Sequence, residues 1–355
     1  MKLVFYSPAF YPLVGGLEGF VEDLSFSLAN KNVEVTLLTT TSYDKQDNYP
    51  FKIIRNPSLH TTIKEIQSAD YYVQFNVSLK GLPAWILSGC ACPLVLVHQN
   101  IVSNGFREKI KQFVADNWAK LNIGCSEYIA RHYKKSLAIH NAYNHLQFYE
   151  TKKWSERQNE LLYVGRLVSD KGCDTLLNAL YLLKNDGIVL KLNIIGKGVE
   201  EDILRGLTKK MGLENQVTFW GQKPRVELNT IMNDHKLLIV PSRYEEPFGI
   251  VALEGLAAGC FTIVTEYGGL REAIGKCGFT FPNGDAVALA ETIKRAYANK
   301  TERDACFAAV PKHLAEHTQD SIAQKYLDVL TELSSKGQAS VLENKSFRQT
   351  SILSQ

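Results

Sequence analysis

Two carboxylates and two cations in this chain have the types and spacing of a working site. Glu246 and Glu254 stand eight positions apart in PSRYEEPFGIVALEGLAAG (241–259). Glu246 lies in a loop that follows an apolar run ending at Val240. Glu254 lies in an apolar stretch, 250–258, that reads as a helix. A carboxylate flanked by Leu253 and Leu256 is costly to bury unless it is bonded. Glu254 therefore needs partners: sugar hydroxyls on one reading, an internal hydrogen bond or ion pair on the other. Glu246 either meets a ligand or is solvated. In YVGRLVSDKG (163–172) an apolar run ends at Val164, Gly165 turns, and Arg166 and Lys171 precede a helix. Arginine grips phosphate with two parallel donors and lysine is a compact point charge. Two such cations beside a helix N-terminus would stabilise a diphosphate. A solvated loop with a surface ion pair to Asp170 is the alternative.

Two glycine-containing turns accompany them. Gly15 and Gly16, with Leu17 and Glu18, lie between a strand-like run and a helix. Small residues there let backbone N–H groups approach an anion; a simple turn and cap would need the same residues. Gly196-Lys197-Gly198 follows another apolar run. It looks like part of a dinucleotide fingerprint, but Glu201 stands where a third glycine would fall, so it is a weak mark of a dehydrogenase.

The elements that must carry these residues follow from periodicity. KLVFYS (2–7), 33–39, 53–54, 71–75, 94–97 and 121–125 read as strands, and 17–30 has helical spacing of apolar residues. The rhythm restarts after 142–158, with strands at 160–164, 190–195, 217–220, 236–240, 261–264 and 278–281 and helices between. A βαβα alternation calls for a parallel sheet covered on both faces. The expected fold class is α/β, with two doubly wound Rossmann-like domains facing a cleft. Expected boundaries are 1–145 and 146–333, with a final amphipathic helix at 321–333 that can cross back to the first domain, and a mobile tail at 334–355.

Composition excludes several classes. Of 355 residues, 45% are hydrophobic and 22% charged, which rules out disorder and repeats. A net charge of +3 is too small for a dedicated nucleic-acid binder. Seven scattered cysteines do not form a secreted disulfide framework, which favours the cytoplasm. The N-terminus does not read as a signal peptide. The uncharged stretch 81–106 is interrupted by Pro83, Pro93 and several polar residues, so no membrane span is expected. Residues 103–135 carry seven basic against three acidic side chains, an excess of +4, with an apolar face from Phe106, Ile110, Phe113, Val114 and Trp118. Such a helix can lie on an anionic membrane, the inner face of the cytoplasmic membrane in this case; a core-packing helix with a solvated charged face is the alternative. No metal site is expected: Asp-x-Asp is absent, and Cys90-Ala-Cys92 is too close for zinc.

In this order and spacing the motifs resemble the retaining glycosyltransferases of family 4, which have the two-domain GT-B fold. Glu246 and Glu254 match that family's Glu-x7-Glu motif, and VGRL with Lys171-Gly172 its phosphate-binding segment. Gly15, Gly16 and Glu18 match its N-terminal glycine loop. SEYIARHY (126–133) and IHNAYN (139–144) resemble its last N-domain helix and interdomain crossing, with Ala142 where glycine is usual.

The resemblance implies a nucleoside-diphosphate sugar donor, UDP- or GDP-linked, no metal cofactor, and a saccharide or lipid-linked acceptor held by the first domain. It implies that Arg166 and Lys171 neutralise the leaving diphosphate, that Glu246 contacts donor-sugar hydroxyls and that Glu254 binds the ribose. Phe248, Gly249, Ile250 and Val251 would contact sugar and phosphate through the backbone, and Gly16 would approach the same phosphates. Gly165, Gly196 and Gly198 belong to the same donor set. His98 resembles a histidine near the donor sugar, against a structural or exposed histidine. Glu18 would face the acceptor, and residues 220–225 the base. The product would be lipopolysaccharide, O-antigen, capsule or another surface glycan. Competing readings are a silent nucleotide-sugar-binding subunit and another GT-B enzyme, such as a sugar-nucleotide epimerase or phosphorylase.

Overall fold

The computed structural model describes residues 1–13, 15–101 and 105–335. The chain divides into two compact units. The first is Met1–Asn141 joined by the helix Gln319–Ser335, and the second is Ala142–Thr318. The expected tail at 334–355 lies, beyond Ser335, outside the described residues.

The first unit runs β1 (Lys2–Tyr6), α1 (Gly16–Asn30), β2 (Glu34–Thr39), β3 (Lys52–Arg55), α2 (Leu59–Gln67), β4 (Tyr71–Phe75), α3 (Leu82–Leu87), β5 (Leu94–His98), α4 (Phe106–Asn117), β6 (Leu121–Gly124), α5 (Glu127–Ala130) and β7 (Ser136–Ala138). Its seven strands are ordered β3-β2-β1-β4-β5-β6-β7 and all pair in parallel. Every residue of β4, β5 and β6 is buried, as strands covered on both faces must be. Strand β7 was not expected from periodicity. It has three half-buried residues and follows Lys134-Lys135, so no apolar run announces it.

The second unit runs β8 (Asn159–Val164), α6 (Cys173–Asn185), β9 (Leu192–Ile195), α7 (Glu201–Lys210), β10 (Val217–Gly221), α8 (Arg225–Asn233), β11 (His235–Val240), α9 (Ile250–Ala257), β12 (Phe261–Thr265), α10 (Leu270–Ile274), β13 (Gly278–Phe281), α11 (Ala286–Ala298) and α12 (Lys300–Ala315). The six strands are parallel in the order β10-β9-β8-β11-β12-β13. Leu161, Leu176, Leu180, Ile194, Ile239 and Ile263 fill its main core without measurable exposure.

The last helix, α13 (Gln319–Ser335), packs in the first unit. Tyr326 meets Phe20 of α1 at 6.3 Å between ring centres, Lys31 pairs with Asp320 at 2.7 Å, and Tyr71 donates its hydroxyl to Leu330 O at 3.0 Å. The chain thus leaves the first unit after Asn141 and returns at Gln319.

Both sheets are doubly wound, and each reverses its strand order once. In the first unit the reversal lies between β1 and β4, in the second between β8 and β11. In such sheets ligands bind beyond the carboxyl ends of the strands at the reversal. For the second unit that point is flanked by Val164 and Val240, the strand ends that precede Arg166 and Glu246.

Candidate active site

The loops that follow β8 and β11 are bound to each other. A single turn of tight helix, Ser169–Lys171, precedes α6, and the carbonyl of Asp170 accepts from Arg243 N (2.8 Å) and Tyr244 N (2.9 Å), with Ser242 Oγ 3.2 Å away. Arg243 also donates through Nη2 to Ser169 O at 2.6 Å and through Nη1 to Asp174 at 3.0 Å. This clamp brings Lys171 to Glu246, 75 residues away: Lys171 Nζ donates to Glu246 Oε1. Ser242 Oγ donates to the same oxygen at 2.9 Å. The alternative surface pair between Lys171 and Asp170 is not formed. Tyr244 adds its ring 5.7 Å from the Lys171 ammonium. Arg166 is exposed, and its guanidinium has no hydrogen bond or ion pair with the described residues. Tyr163 fixes the Arg166 backbone by donating to its carbonyl at 2.9 Å.

Gly172 makes the clamp possible. It is left-handed (φ 66°, ψ 23°), and a Cβ there would fall inside the van der Waals envelope of Pro241 O. Gly196 and Gly198 do a related job. The space where their Cβ atoms would sit is taken by the carbonyls of Gly165 and Leu167. Gly165 N donates to Ile195 O and Leu167 N to Lys197 O, so these glycines let the β8 and β9 loops lie backbone to backbone.

Glu246 continues into α9. Gly269 N donates to Glu246 O at 2.7 Å, which rests the 246–248 segment on the Gly268-Gly269 turn after β12. Phe248 is buried, its ring stacked on His317 at 6.0 Å. Gly249 caps the helix, and the first N–H groups of α9, at Ile250 and Val251, have no carbonyl within the helix to bond. Glu254 is buried one turn further on. Arg225 Nη2 donates to Glu254 Oε1 at 2.7 Å. Arg225, the first residue of α8, is itself half-exposed and lies 5.7 Å from the Phe148 ring centre.

The first-unit residues fall into two groups. Gly15 caps α1 with Glu18 in the helix's first turn, its carboxylate against Gly15; Gly16 has open space around it. His98 ends β5 and is buried. Its Nε2 bonds Asn122 Oδ1 at 2.8 Å, and its ring stacks on Tyr133 at 3.6 Å. Asn122 spends its own amide donors on Ala115 O and Lys134 O, so His98 must carry its proton on Nε2. Burial lowers its pKa to about 4, so the ring is neutral at ordinary pH. This is the environment of a structural histidine.

Sequence reasoning missed Ser242 and Arg225 as partners of the two glutamates. Ser242 had a local signal, since it lies four positions before Glu246 in one loop. Arg225 had none, because its pairing spans 29 residues. Among the described residues no group of three or more His, Cys, Asp or Glu could hold a metal ion. No helix among them is long and apolar enough to cross a membrane.

Known proteins resemble parts of this chain in sequence and nearly its whole length in fold. Residues 147–313, most of the second unit, match the family described as Glycosyl transferases group 1. The glycogen synthase of Mycobacterium tuberculosis is 35% identical over 137 residues, 38% of this chain and 33% of that protein. The chain thus matches about a third of that relative's length. Among solved structures, Anabaena HepE in complex with UDP and glucose has a TM-score of 0.76 at 18% identity, covering 94% of this chain and 100% of that one. The lipopolysaccharide outer core galactosyltransferase WaaB has a TM-score of 0.71 at 14% identity, covering 94% and 99%. The fold is that of the GT-B glycosyltransferases, with two parallel-sheet Rossmann-like units.

Proposed function

We propose that this chain, whose second unit carries the group 1 glycosyltransferase segment 147–313, is a retaining hexosyltransferase. It moves a hexosyl group from a nucleoside-diphosphate sugar to a hydroxyl of a saccharide or lipid-linked acceptor in surface-glycan synthesis, without a divalent metal. The observation that carries this reading is the cluster of Lys171, Glu246 and Ser242 at the strand-order reversal, with the unpaired Arg166 on the adjoining loop. As the bond from C1 to the diphosphate breaks, Arg166 and Lys171 take up the charge on the leaving group. Glu246 holds the ammonium in place before donor arrives and then turns to the sugar hydroxyls. Glu254 bonds the ribose, with Arg225 beside it. The acceptor hydroxyl attacks from the face the diphosphate leaves, and a diphosphate oxygen takes its proton. The UDP in the Anabaena neighbour and the lipopolysaccharide role of the galactosyltransferase support the donor class and the product class.

The test is release of nucleoside diphosphate from a panel of UDP- and GDP-hexoses, with and without EDTA. Turnover that persists in EDTA is expected. Turnover that EDTA abolishes and a divalent ion restores would sink metal independence, and no turnover or binding of any donor would sink the transfer reading.

The acceptor side is proposed to meet an anionic membrane surface. On α4 only Val114 and Ala115 are buried, while Phe106 (80% exposed), Ile110 and Phe113 (58%) line up at helical spacing on the outside. Arg107, Lys109 and Lys120 flank them. Val114 and Ala115 fix the helix on the core, and the outward row of apolar side chains supports the membrane reading. Phe106→Asp with Phe113→Asp is expected to lower flotation with phosphatidylglycerol vesicles at least tenfold and leave donor turnover unchanged. Equal flotation of wild type with neutral and anionic vesicles, or none with either, would refute the contact.

A further inference from the structure

The carboxyl edge of the first unit's sheet carries a second built surface, separate from the cluster of Lys171, Glu246 and Ser242. The segment after β1 and the segment after β2 are pinned together there. Thr40 Oγ1 and Thr41 Oγ1 donate to Pro8 O at 2.9 and 3.2 Å, and Phe10 N donates to Thr41 Oγ1 at 3.1 Å. Arg55, the last residue of β3, ties them from below. Its Nη1 donates to Tyr11 O and Thr41 O, each at 2.9 Å, and its Nε and Nη2 grip both oxygens of Asp47 at 2.9 and 2.8 Å. The guanidinium also lies 5.0 Å from the Tyr43 ring centre and 5.7 Å from that of Phe10, which is fully buried. Tyr11 meets Tyr43 edge to face at 5.2 Å.

The outer side of this assembly is open. Tyr11 is 39% exposed and Leu13 52%. Loops do not usually spend an almost buried arginine and a bidentate carboxylate on holding a half-exposed tyrosine; a surface loop of these residues could be left to water. Rigid, half-exposed aromatic rings are instead what a ligand with one apolar face and a polar rim requires, because the entropy of ordering them is already lost. The place is also suitable, since the segment after β1 lies at the strand-order reversal of this sheet.

We propose that Tyr11 and Tyr43 form a subsite for an uncharged sugar ring. The C–H face of a pyranose packs on the exposed Tyr11 ring, which Tyr43 holds edge to face, and its hydroxyls meet the exposed Thr40, Asp44 and Asn48. Charge sets the class. Arg55 is committed to Asp47, and Glu18, Glu22 and Asp44 add carboxylates on the same loops and on the start of α1, against the lone Lys45. Glu22 itself is held by the Tyr49 hydroxyl at 2.8 Å. A phosphate or uronate would meet a net negative field, with Lys45 alone on these described loops to answer it. In the transfer reading, on which the word acceptor rests, this ring belongs to the acceptor, but its binding can be measured without that reading.

Saturation-transfer NMR on the full chain tests the subsite. The probes are methyl glycosides of glucose, galactose and mannose, with maltose and lactose, set against glucose 6-phosphate and glucuronate. At least one neutral sugar is expected to show ring-proton enhancement that falls at least fivefold in Tyr11→Ala and in Tyr43→Ala, persists in Tyr11→Phe, and is unchanged by Lys171→Ala. Circular dichroism confirms that each variant is folded. No enhancement with any neutral sugar, equal enhancement in Tyr11→Ala, or preference for the charged sugars would overturn the proposal. Sugar binding that survives in a protein binding no UDP or GDP would remove the transfer reading and leave this subsite standing.

Discussion

Lys171→Ala is expected to lower donor turnover about 100-fold and leave the second unit folded. One preorganised donor aimed at developing negative charge contributes roughly 3 kcal/mol to the barrier, which corresponds to about two orders of magnitude in rate. Lys171 is placed for that task by the clamp on Asp170 O, not by its own flexible stem, so its ammonium is ordered before donor binds. The pair with Glu246 is mostly buried, with side-chain exposures of 19% and 14%, so the variant also leaves a partly desolvated carboxylate with Ser242 as its partner, and turnover is compared below the melting temperature of each protein. Glu246→Ala should cost turnover on a similar scale. The double variant should lose much less than the product of the two, because each side chain positions the other. Steady-state diphosphate release for the four proteins, with thermal melts beside it, decides the matter. Fully multiplicative losses would mean that Lys171 and Glu246 act independently and that their pairing is incidental.

That coupling also marks what the sequence could and could not convey. The strands on either side of the site were legible, since β8, β11 and β12 are unbroken apolar runs and buried parallel strands have that form. The residue types at their ends were legible too: Arg166, Lys171, Glu246 and Glu254 all lie on the second unit near its strand ends. The pairings were not. Nothing within a few residues of Lys171 points to a partner 75 positions away, and the nearest carboxylate, Asp170, uses its backbone carbonyl instead. Glycine was ambiguous for the same reason. A residue without Cβ permits close approach but does not say of what, and at Gly196 and Gly198 the approaching group is the chain's own carbonyl. Helix α4 shows the limit of periodicity, which identified an apolar face correctly but could not say that most of it faces outward.

Gly172→Ala is expected to be among the most damaging single methyls in the second unit. Two penalties act at once. A left-handed φ of 66° is a conformation that side-chain-bearing residues adopt at a cost of about 1 kcal/mol or more. The new Cβ would also collide with Pro241 O, a backbone atom that cannot swing aside as a side chain can. Relief requires the Ser169–Lys171 turn and the 241–244 loop to part, which weakens the two backbone hydrogen bonds on Asp170 O. A total near 2–3 kcal/mol would lower the melting temperature by roughly 5–10 °C for a unit of this size. The functional loss should exceed what stability alone explains, because the same movement withdraws Lys171 from Glu246. Gly187→Ala is the natural control: its φ is 78°, but no atom lies within reach of an added Cβ, and it sits between α6 and β9, away from the strand ends that hold the site. Turnover measured well below both melting temperatures should fall at least tenfold in Gly172→Ala and stay near wild type in Gly187→Ala. Equal turnover in the two variants would show that the clamp does not position the lysine.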